Sequence, residues 1–341
     1  MKTAPVTIKD IARQLKISPS TVSRALKNNP EISLETRQHV AEVAARLDYR
    51  PNIVARGLKQ RQSATIGVII PEIVHYFFSQ VISGIEEVAY NEGYTVMICQ
   101  SNEKSDREAN NVRTLLAHQV AGILVSVSKE TAGFSHLEEV DKNGVPLVFF
   151  DRAAPGMAKD QVINDNRESA CRVTRHLIQQ GCSRIVHFAG PQNLSIGRER
   201  KEGYLHALSE AGIAFREEWC TVADTFDKAY QEVMRLHQVL NLPDAIFCNN
   251  DLTALGAMKA LRQLGVAIPG EVAVAGFSNG IFSEISDPSL TTVDQHGYDM
   301  GVQATRLLLK RINSKKEGEP PVTMVVRGDL IIRDTSSTGS V

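Results

Sequence analysis

The ten residues from Ser18 to Lys27 read Ser-Pro-Ser-Thr-Val-Ser-Arg-Ala-Leu-Lys. At helical spacing Val22, Ala25 and Leu26 point inward, leaving Pro19, Ser20, Thr21, Ser23, Arg24 and Lys27 on the outer face. Small hydroxyls reach phosphates and base edges, and an arginine can fork onto guanine, so this face has the chemistry of a major-groove reader. A plain solvated face would use the same residue types. A second group lies far down the chain. Arg200, in Gly197-Arg-Glu-Arg-Lys-Glu-Gly-Tyr204, carries a fork that can hold two hydroxyls, a carboxylate or a phosphate. Asn250, in Asn249-Asn250-Asp251, offers both a donor and an acceptor, while Asp251 is expected to cap the following helix. The rings of His75, Tyr76, Phe77 and Phe78 suit the apolar face of a sugar or base, or else a core.

These residue types bind; they do not form a nucleophile constellation. There is no GxxxxGK[ST] loop, no GxGxxG after a strand, no HExxH and no GxSxG, so no enzyme is expected. The five cysteines, Cys99, Cys171, Cys182, Cys220 and Cys248, are widely spaced, odd in number and without a CxxC. A disulfide framework, a structural zinc site and a cofactor are therefore not expected, and a reducing cytoplasm is the simplest setting. No apolar run approaches the roughly 20 residues of a membrane span, and the opening MKTAPVTIKDIARQLK lacks the apolar core of an export signal.

The elements that must position the first group are short helices. Thr7 and Asp10 make a capping box, and Ile8, Ile11, Ala12 and Leu15 form one apolar stripe. Ser18-Pro19 starts a second helix, and Asn28-Asn29-Pro30 ends it. A third helix starts near Ser33, buries Val40, Val43, Ala44 and Leu47, and stops before Tyr49-Arg50-Pro51. Three helices with a tight first turn predict an N-terminal three-helix helix-turn-helix DNA-binding domain. Charge agrees. The chain of 341 residues has a formal net charge of −1, but residues 1–62 hold 12 Lys+Arg and 5 Asp+Glu, a local +7, while the remainder is −8.

From Ser63 onward strands alternate with helices: strands at 65–71, 94–99, 122–127 and 145–150, then a restart at 183–191, around 219–222, 245–249 and 272–277. The intervening helices are expected at 78–91, 107–119, 197–210 and 251–264. This alternation predicts an α/β body of two parallel-sheet subdomains. Ligands in open parallel sheets bind beyond the strand C-termini.

Three blocks carry a resemblance. Thr7-Ile-Lys-Asp-Ile-Ala, Ser18-Pro-Ser-Thr-Val-Ser-Arg-Ala-Leu26 and Tyr49-Arg-Pro-Asn-Ile-Val-Ala-Arg-Gly-Leu58 match, in order and spacing, the lactose-repressor (LacI/GalR) family of bacterial transcriptional regulators. The segment Asn52 to Leu58 is especially similar to the catabolite control protein A type. The resemblance implies a hinge helix joined to a periplasmic-binding-protein type I-like body. It also implies a homodimer, operator double-stranded DNA as partner, and a small-molecule effector such as a sugar, sugar phosphate or other metabolite in the cleft. A phosphorylated carrier-protein corepressor occurs in some members, and no membrane partner is implied. The DNA-binding residues are then Thr7, Ser18, Pro19, Ser20, Thr21, Ser23, Arg24, Asn28, Tyr49, Asn52, Val54, Ala55, Arg56 and Leu58. Nine residues from Pro51 to Lys59 are too few for a stable isolated helix. The family's hinge helices pair in the minor groove, where Leu58 matches a leucine that wedges into the central base step.

The effector positions implied by the resemblance are Phe77, Phe78, Ser128, Asp151, Asp165, Arg200, Asn250, Ser278 and Gln295. Asp165 serves equally as a helix cap. One departure concerns the usual sugar-gripping aspartate after the late strand: here Gly276-Phe277-Ser278-Asn279 carries a neutral hydroxyl instead, which puts a sugar ligand in doubt. The expected divisions are a DNA-binding domain at 1–50, a hinge at 51–62, a body at 63–335 and a polar tail at 336–341. Within the body, 63–161 and 291–320 form one half, and 162–290 and 321–335 the other.

Overall fold

The structure, a computed structural model, describes residues 6–26, 29–47, 49, 63–239, 242–314 and 318–337. The chain divides into two units, Met1–Arg61 and Gln62–Val341. Asn28, Asn52, Val54, Ala55, Arg56 and Leu58 lie outside the described residues.

The first unit contains α1 (Ile8–Leu15), α2 (Pro19–Ala25) and α3 (Leu34–Arg46). Each begins on a hydroxyl residue whose local bonds offset the free amides of a helix start. The Asp10 carboxylate accepts from the Thr7 amide at 2.9 Å and its hydroxyl at 2.6 Å. Ser18 Oγ accepts from the Thr21 amide at 3.0 Å, and Ser33 Oγ from the Thr36 amide at 3.2 Å. Ile11, Val22 and Val40 close the core, with Ile8, Leu15, Leu26 and Leu47 packed around them.

The second unit opens with β1 (Thr65–Ile70), α4 (Tyr76–Asn91), β2 (Thr95–Gln100), α5 (Ser105–Ala117), β3 (Gly122–Val125), α6 (Ser135–Lys142), β4 (Leu147–Phe150) and β5 (Asp160–Asn164). Next come α7 (Asn166–Gln179), β6 (Ile185–Ala189), α8 (Ser195–Glu210), β7 (Cys220–Val222), α9 (Phe226–Val239), β8 (Ala245–Cys248), α10 (Asp251–Gln263), β9 (Ala273–Ala275) and α11 (Ile281–Ile285). It ends with β10 (Thr292–Asp294), α12 (Gly297–Asn313), β11 (Thr323–Val326) and β12 (Asp329–Ile331). Two parallel sheets result, ordered β11-β5-β4-β3-β1-β2 and β7-β6-β8-β9, beside the antiparallel pair β10-β12. Strands such as Ile66 to Ile70 are apolar throughout because helices cover both faces.

Three expected boundaries shift. β5 pairs with β11 in register from Gln161↔Thr323 to Asn164↔Val326, so both strands belong to the first sheet. The chain therefore leaves the first half after Asn164, not at 161, and the segment after 320 stays in the first half until it crosses at Val326, not at 320. α12 packs on α4 of the first half at glycines: a Cβ on Gly84 would meet Tyr298 O at 2.1 Å, and one on Gly301 would meet Val81 O at 2.1 Å. The tail also starts later than 336. Ser336 is buried, its hydroxyl 2.7 Å from His176 Nε2 and 2.6 Å from Thr291 Oγ1.

His187 in β6 is fully buried, stacked on Phe247 at 4.6 Å, with Nδ1 3.0 Å from Phe247 O. Burial pushes its pKa down to about 4. An unfolded histidine takes its proton near 6.5, so this side chain contributes stability above that pH, lost as pH falls toward the folded value. Between pH 7 and 4.5 wild type should lose about 2.5 kcal/mol more than His187→Phe in urea unfolding. Equal losses would disprove the assignment of a neutral core histidine.

Candidate functional site

Parallel strands aim their C-termini at one edge, and the loops leaving those edges enclose a cavity of about 210 Å³. Of the nine expected effector residues, seven line it: Phe77, Phe78, Asp151, Arg200, Asn250, Ser278 and Gln295. Phe77 and Phe78 open α4 and are both wall and core, being 5% and 2% exposed, with ring centroids 5.3 Å apart. Asp151 follows β4 with φ 59°, and burial pushes its carboxyl pKa up against the pull of Arg152 and Arg200.

Arg200, one and a half turns into α8, is 3% exposed. Its Nε donates to Asn166 Oδ1 at 3.0 Å, its Nη1 donates to Asn249 O at 2.6 Å, and its guanidinium lies 3.8 Å from the Phe277 ring centroid. Burial lowers its pKa to about 10, which leaves it cationic at neutral pH. All its direct hydrogen-bond partners are neutral, so among the described residues this buried charge has no hydrogen-bonded carboxylate. Among the described residues its Nη2 has no hydrogen-bond acceptor.

The contacts change three assignments. Asn250, not Asp251, caps α10: its Oδ1 accepts from the Thr253 amide at 2.9 Å. Asp251 instead accepts from Thr292 Oγ1 at 2.5 Å and the Gly280 amide at 2.7 Å, pinning the loop before α11; burial raises its pKa to about 6. Ser128 does not line the cavity. It is fully buried, its hydroxyl 2.6 Å from Ser101 Oγ and its amide held by Glu108. Asp165 is also outside the lining. Its Oδ1 accepts from Ser169 Oγ and the Gly328 amide, both at 2.8 Å, so it ties the start of α7 to the turn before β12.

Ser278 and Gln295 link the crossovers as well as lining the wall. Ser278 Oγ donates to Gln295 Oε1 at 2.9 Å, Gln295 Nε2 donates to Asn164 Oδ1 at 2.9 Å, and Asn164 Nδ2 donates to Val326 O at 3.1 Å. One hydrogen-bonded chain thus joins all three crossovers. Across the opposite rim, Asn193 Nδ2 donates to Lys129 O at 2.6 Å, and Lys129 Nζ lies 3.3 Å from Asp224.

Several lining residues escaped the sequence reading. Arg152 pairs with Glu103 at 2.8 Å, and Glu72 lies 3.3 Å from His75, whose pKa burial lowers. Asn249 is 7% exposed, and its Oδ1 has no partner among the described residues. Glu103 and Asp224 sit just past the C-termini of β2 and β7, so the strand-end rule applied to every strand would have found them.

In the helical unit, Ser18 Oγ is 2.7 Å from Ser20 Oγ and 2.8 Å from Thr21 Oγ1, one hydroxyl cluster at the start of α2. Pro19, Ser20 and Arg24 are exposed, Thr21 and Ser23 half-buried, and Thr7 is exposed at the start of α1. Tyr49 packs against the core of the unit, and burial raises its phenol pKa. Ser18→Ala removes the α2 cap and should cost about 1 kcal/mol, lowering the Tm of the helical unit by roughly 4–8 °C. Circular dichroism of the isolated 1–61 segment, shown first to fold, would measure it; an unchanged Tm would contradict the cap.

Residues 63–331 match the family model for periplasmic binding proteins and the sugar-binding domain of the LacI family, and residues 7–52 match that for bacterial regulatory proteins, lacI family. The chain belongs to the LacI family. Catabolite control protein A of Priestia megaterium is 34% identical over 312 residues, 91% of this chain and 93% of that protein. The transcriptional repressor CytR of Escherichia coli (strain K12) is 33% identical, covering 97% and 96%. Among solved structures, the lac repressor dimer bound to operator and the anti-inducer ONPF has a TM-score of 0.86 at 25% identity, covering 98% of this chain and 99% of that one. A CelR–cellobiose complex has a TM-score of 0.73 at 26% identity, covering 97% and 99%. This LacI-family chain is thus a DNA-binding transcriptional regulator, not an enzyme. Among the described residues no helix is long and apolar enough to cross a membrane.

Proposed function

We propose that this protein is a repressor that binds a palindromic operator as a dimer, with its affinity set by a small effector in the cleft. The observation that carries this reading is Arg200, a buried guanidinium without a bonded carboxylate, facing a cavity also lined by Phe77 and Phe78. Leaving such a charge so placed costs free energy unless a ligand completes its bonding. A sugar, sugar phosphate or related metabolite brings hydroxyl or phosphate oxygens to the fork and an apolar face to the rings. Ser278 spends its proton on Gln295, so a ligand acceptor that takes that proton breaks the chain joining the crossovers. Effector binding would then bias the angle between the halves, and with it the hinge segments of a dimer, giving a coupling free energy between the two sites.

The test is fluorescence anisotropy of full-length protein on palindromic promoter fragments and on random DNA at moderate salt. It is run with and without a panel of sugars, sugar phosphates and nucleobases. A preference for a palindrome, shifted by one compound class, supports the reading. No preference under any condition, or a monomer in solution scattering, overturns it. If the DNA preference is present and no compound shifts it, the cleft assignment fails while the DNA assignment stands.

A further inference from the structure

The second half holds a cluster that the cleft does not use. Cys171 on α7 faces His206 and Glu210 on α8, and their ligand atoms all lie within 4.8 Å of one another. His206 and Glu210 are four apart, one helical turn, so both side chains leave the same face. His206 Nε2 is 3.5 Å from Glu210 Oε1, and Cys171 Sγ is 3.9 Å from Glu210 Oε2. A tetrahedral zinc site with ordinary bond lengths has ligand-to-ligand edges of about 3.4–3.6 Å.

We propose that Cys171, His206 and Glu210 form a site for a thiophilic divalent cation of the zinc class, with water as the fourth ligand. The scaffold that sets these distances is stiff. α7 and α8 approach so closely at Gly203 that a Cβ there would meet Arg167 O at 2.1 Å and the Cys171 amide nitrogen at 2.9 Å. His206 and Glu210 are 48% and 45% exposed in their side chains, so small rotations close the remaining distance and a metal can enter from solvent.

A cation already marks the position. Arg175 Nη2 lies 2.8 Å from Glu210 Oε2 and 3.3 Å from Cys171 Sγ. Its side chain is 43% exposed and long, so it can swing into water when a metal takes its place. Binding forms metal–sulfur, metal–nitrogen and metal–oxygen bonds; the thiol proton passes to solvent, and no electron is transferred. The ion would fasten α7 to α8 just below the point where Asn166 of α7 holds Arg200 of α8. The site thus lies on the two helices that orient the cleft arginine, though it does not depend on what the cleft binds.

The test uses full-length protein stripped with a chelator and titrated with Co2+ alone, then with competing Zn2+. One Co2+ per chain should produce a thiolate-to-cobalt charge-transfer band and the strong visible bands of a four-coordinate ion, both erased by Zn2+. Cys171→Ser should remove the charge-transfer band. His206→Gln, at an exposed position that does not endanger the fold, should weaken Co2+ binding at least tenfold. Arg175→Met should strengthen it several-fold, an effect that a purely structural ion pair would not produce. Absence of the band in wild type and in Arg175→Met, or its persistence in Cys171→Ser, would overturn the proposal.

Discussion

Replacing Arg200 with methionine will weaken effector binding at least a hundredfold, about 3 kcal/mol, while effector-free operator affinity stays at the wild-type level. The guanidinium has three jobs. It bonds Asn166 Oδ1 and Asn249 O, stacks on Phe277, and has one nitrogen without an acceptor among the described residues, which the proposed effector would take. Methionine restores most of the apolar stem but none of the donors. A hydrogen bond from a charged donor to a ligand contributes about 1.5–3 kcal/mol, and the buried acceptors left behind cost about 1–3 kcal/mol each. Asp151, whose carboxyl pKa burial pushes up, also loses one of the two cations that oppose this shift, Arg152 remaining. Calorimetric titration with the compound found by the metabolite screen reads the loss, and anisotropy on operator DNA reads the unchanged free state. Retained effector affinity would remove Arg200 from the site.

The second large effect comes from a residue that never touches the ligand. Gly203→Ala should lower the stability of the 62–341 unit by about 3 kcal/mol or more, a fall in Tm of roughly 6–12 °C. Helix propensity alone predicts the reverse, since alanine in a helix interior is favoured over glycine by about 1 kcal/mol. The structure decides the sign. A Cβ at this position would stand 2.1 Å from Arg167 O and 2.9 Å from Ala170 Cβ. Backbone cannot rotate away as a side chain can, so α8 must move off α7 by more than an ångström. That movement pulls Arg200 from Asn166 and should weaken effector binding as well. Thermal unfolding of the variant beside wild type is sufficient. An unchanged or raised Tm would mean that the two helices do not pack as described.

The contrast between these residues shows how legible the chain was. Arg200 was readable because a fork in a Gly-Arg-Glu-Arg segment is chemically conspicuous and matched a family position. Gly203 was visible only as a spacing mark; its steric role needs the opposite helix. Asn249 and Arg152 were each one residue from a flagged neighbour. Nothing local distinguishes Asn249 from Asn250 until Asn250 is seen to spend its acceptor on the Thr253 amide. Ser128 and Asp165 had the right types at the right strand ends, yet their polar atoms are taken by Ser101, Glu108, Ser169 and Gly328.

The sequence by itself determined what depends on interactions a few residues long. Those are the pairing of Thr7 with Asp10, the hydroxyl cap at Ser18, the start of a third helix near Ser33, the apolar stripes of the three short helices, and the alternation that demands two parallel sheets. Caps and periodicity act within one or two turns, so their physics is complete in a window of the chain. The tertiary structure alone decided the crossovers after Asn164 and Val326, the hydrogen-bonded chain through Ser278, Gln295 and Asn164, and the choice of side chains facing the cleft. Those outcomes are competitions among partners drawn from Glu72 to Val326. A buried donor takes whichever acceptor the packing brings within 3 Å, and only the assembled sheets and helices say which one that is.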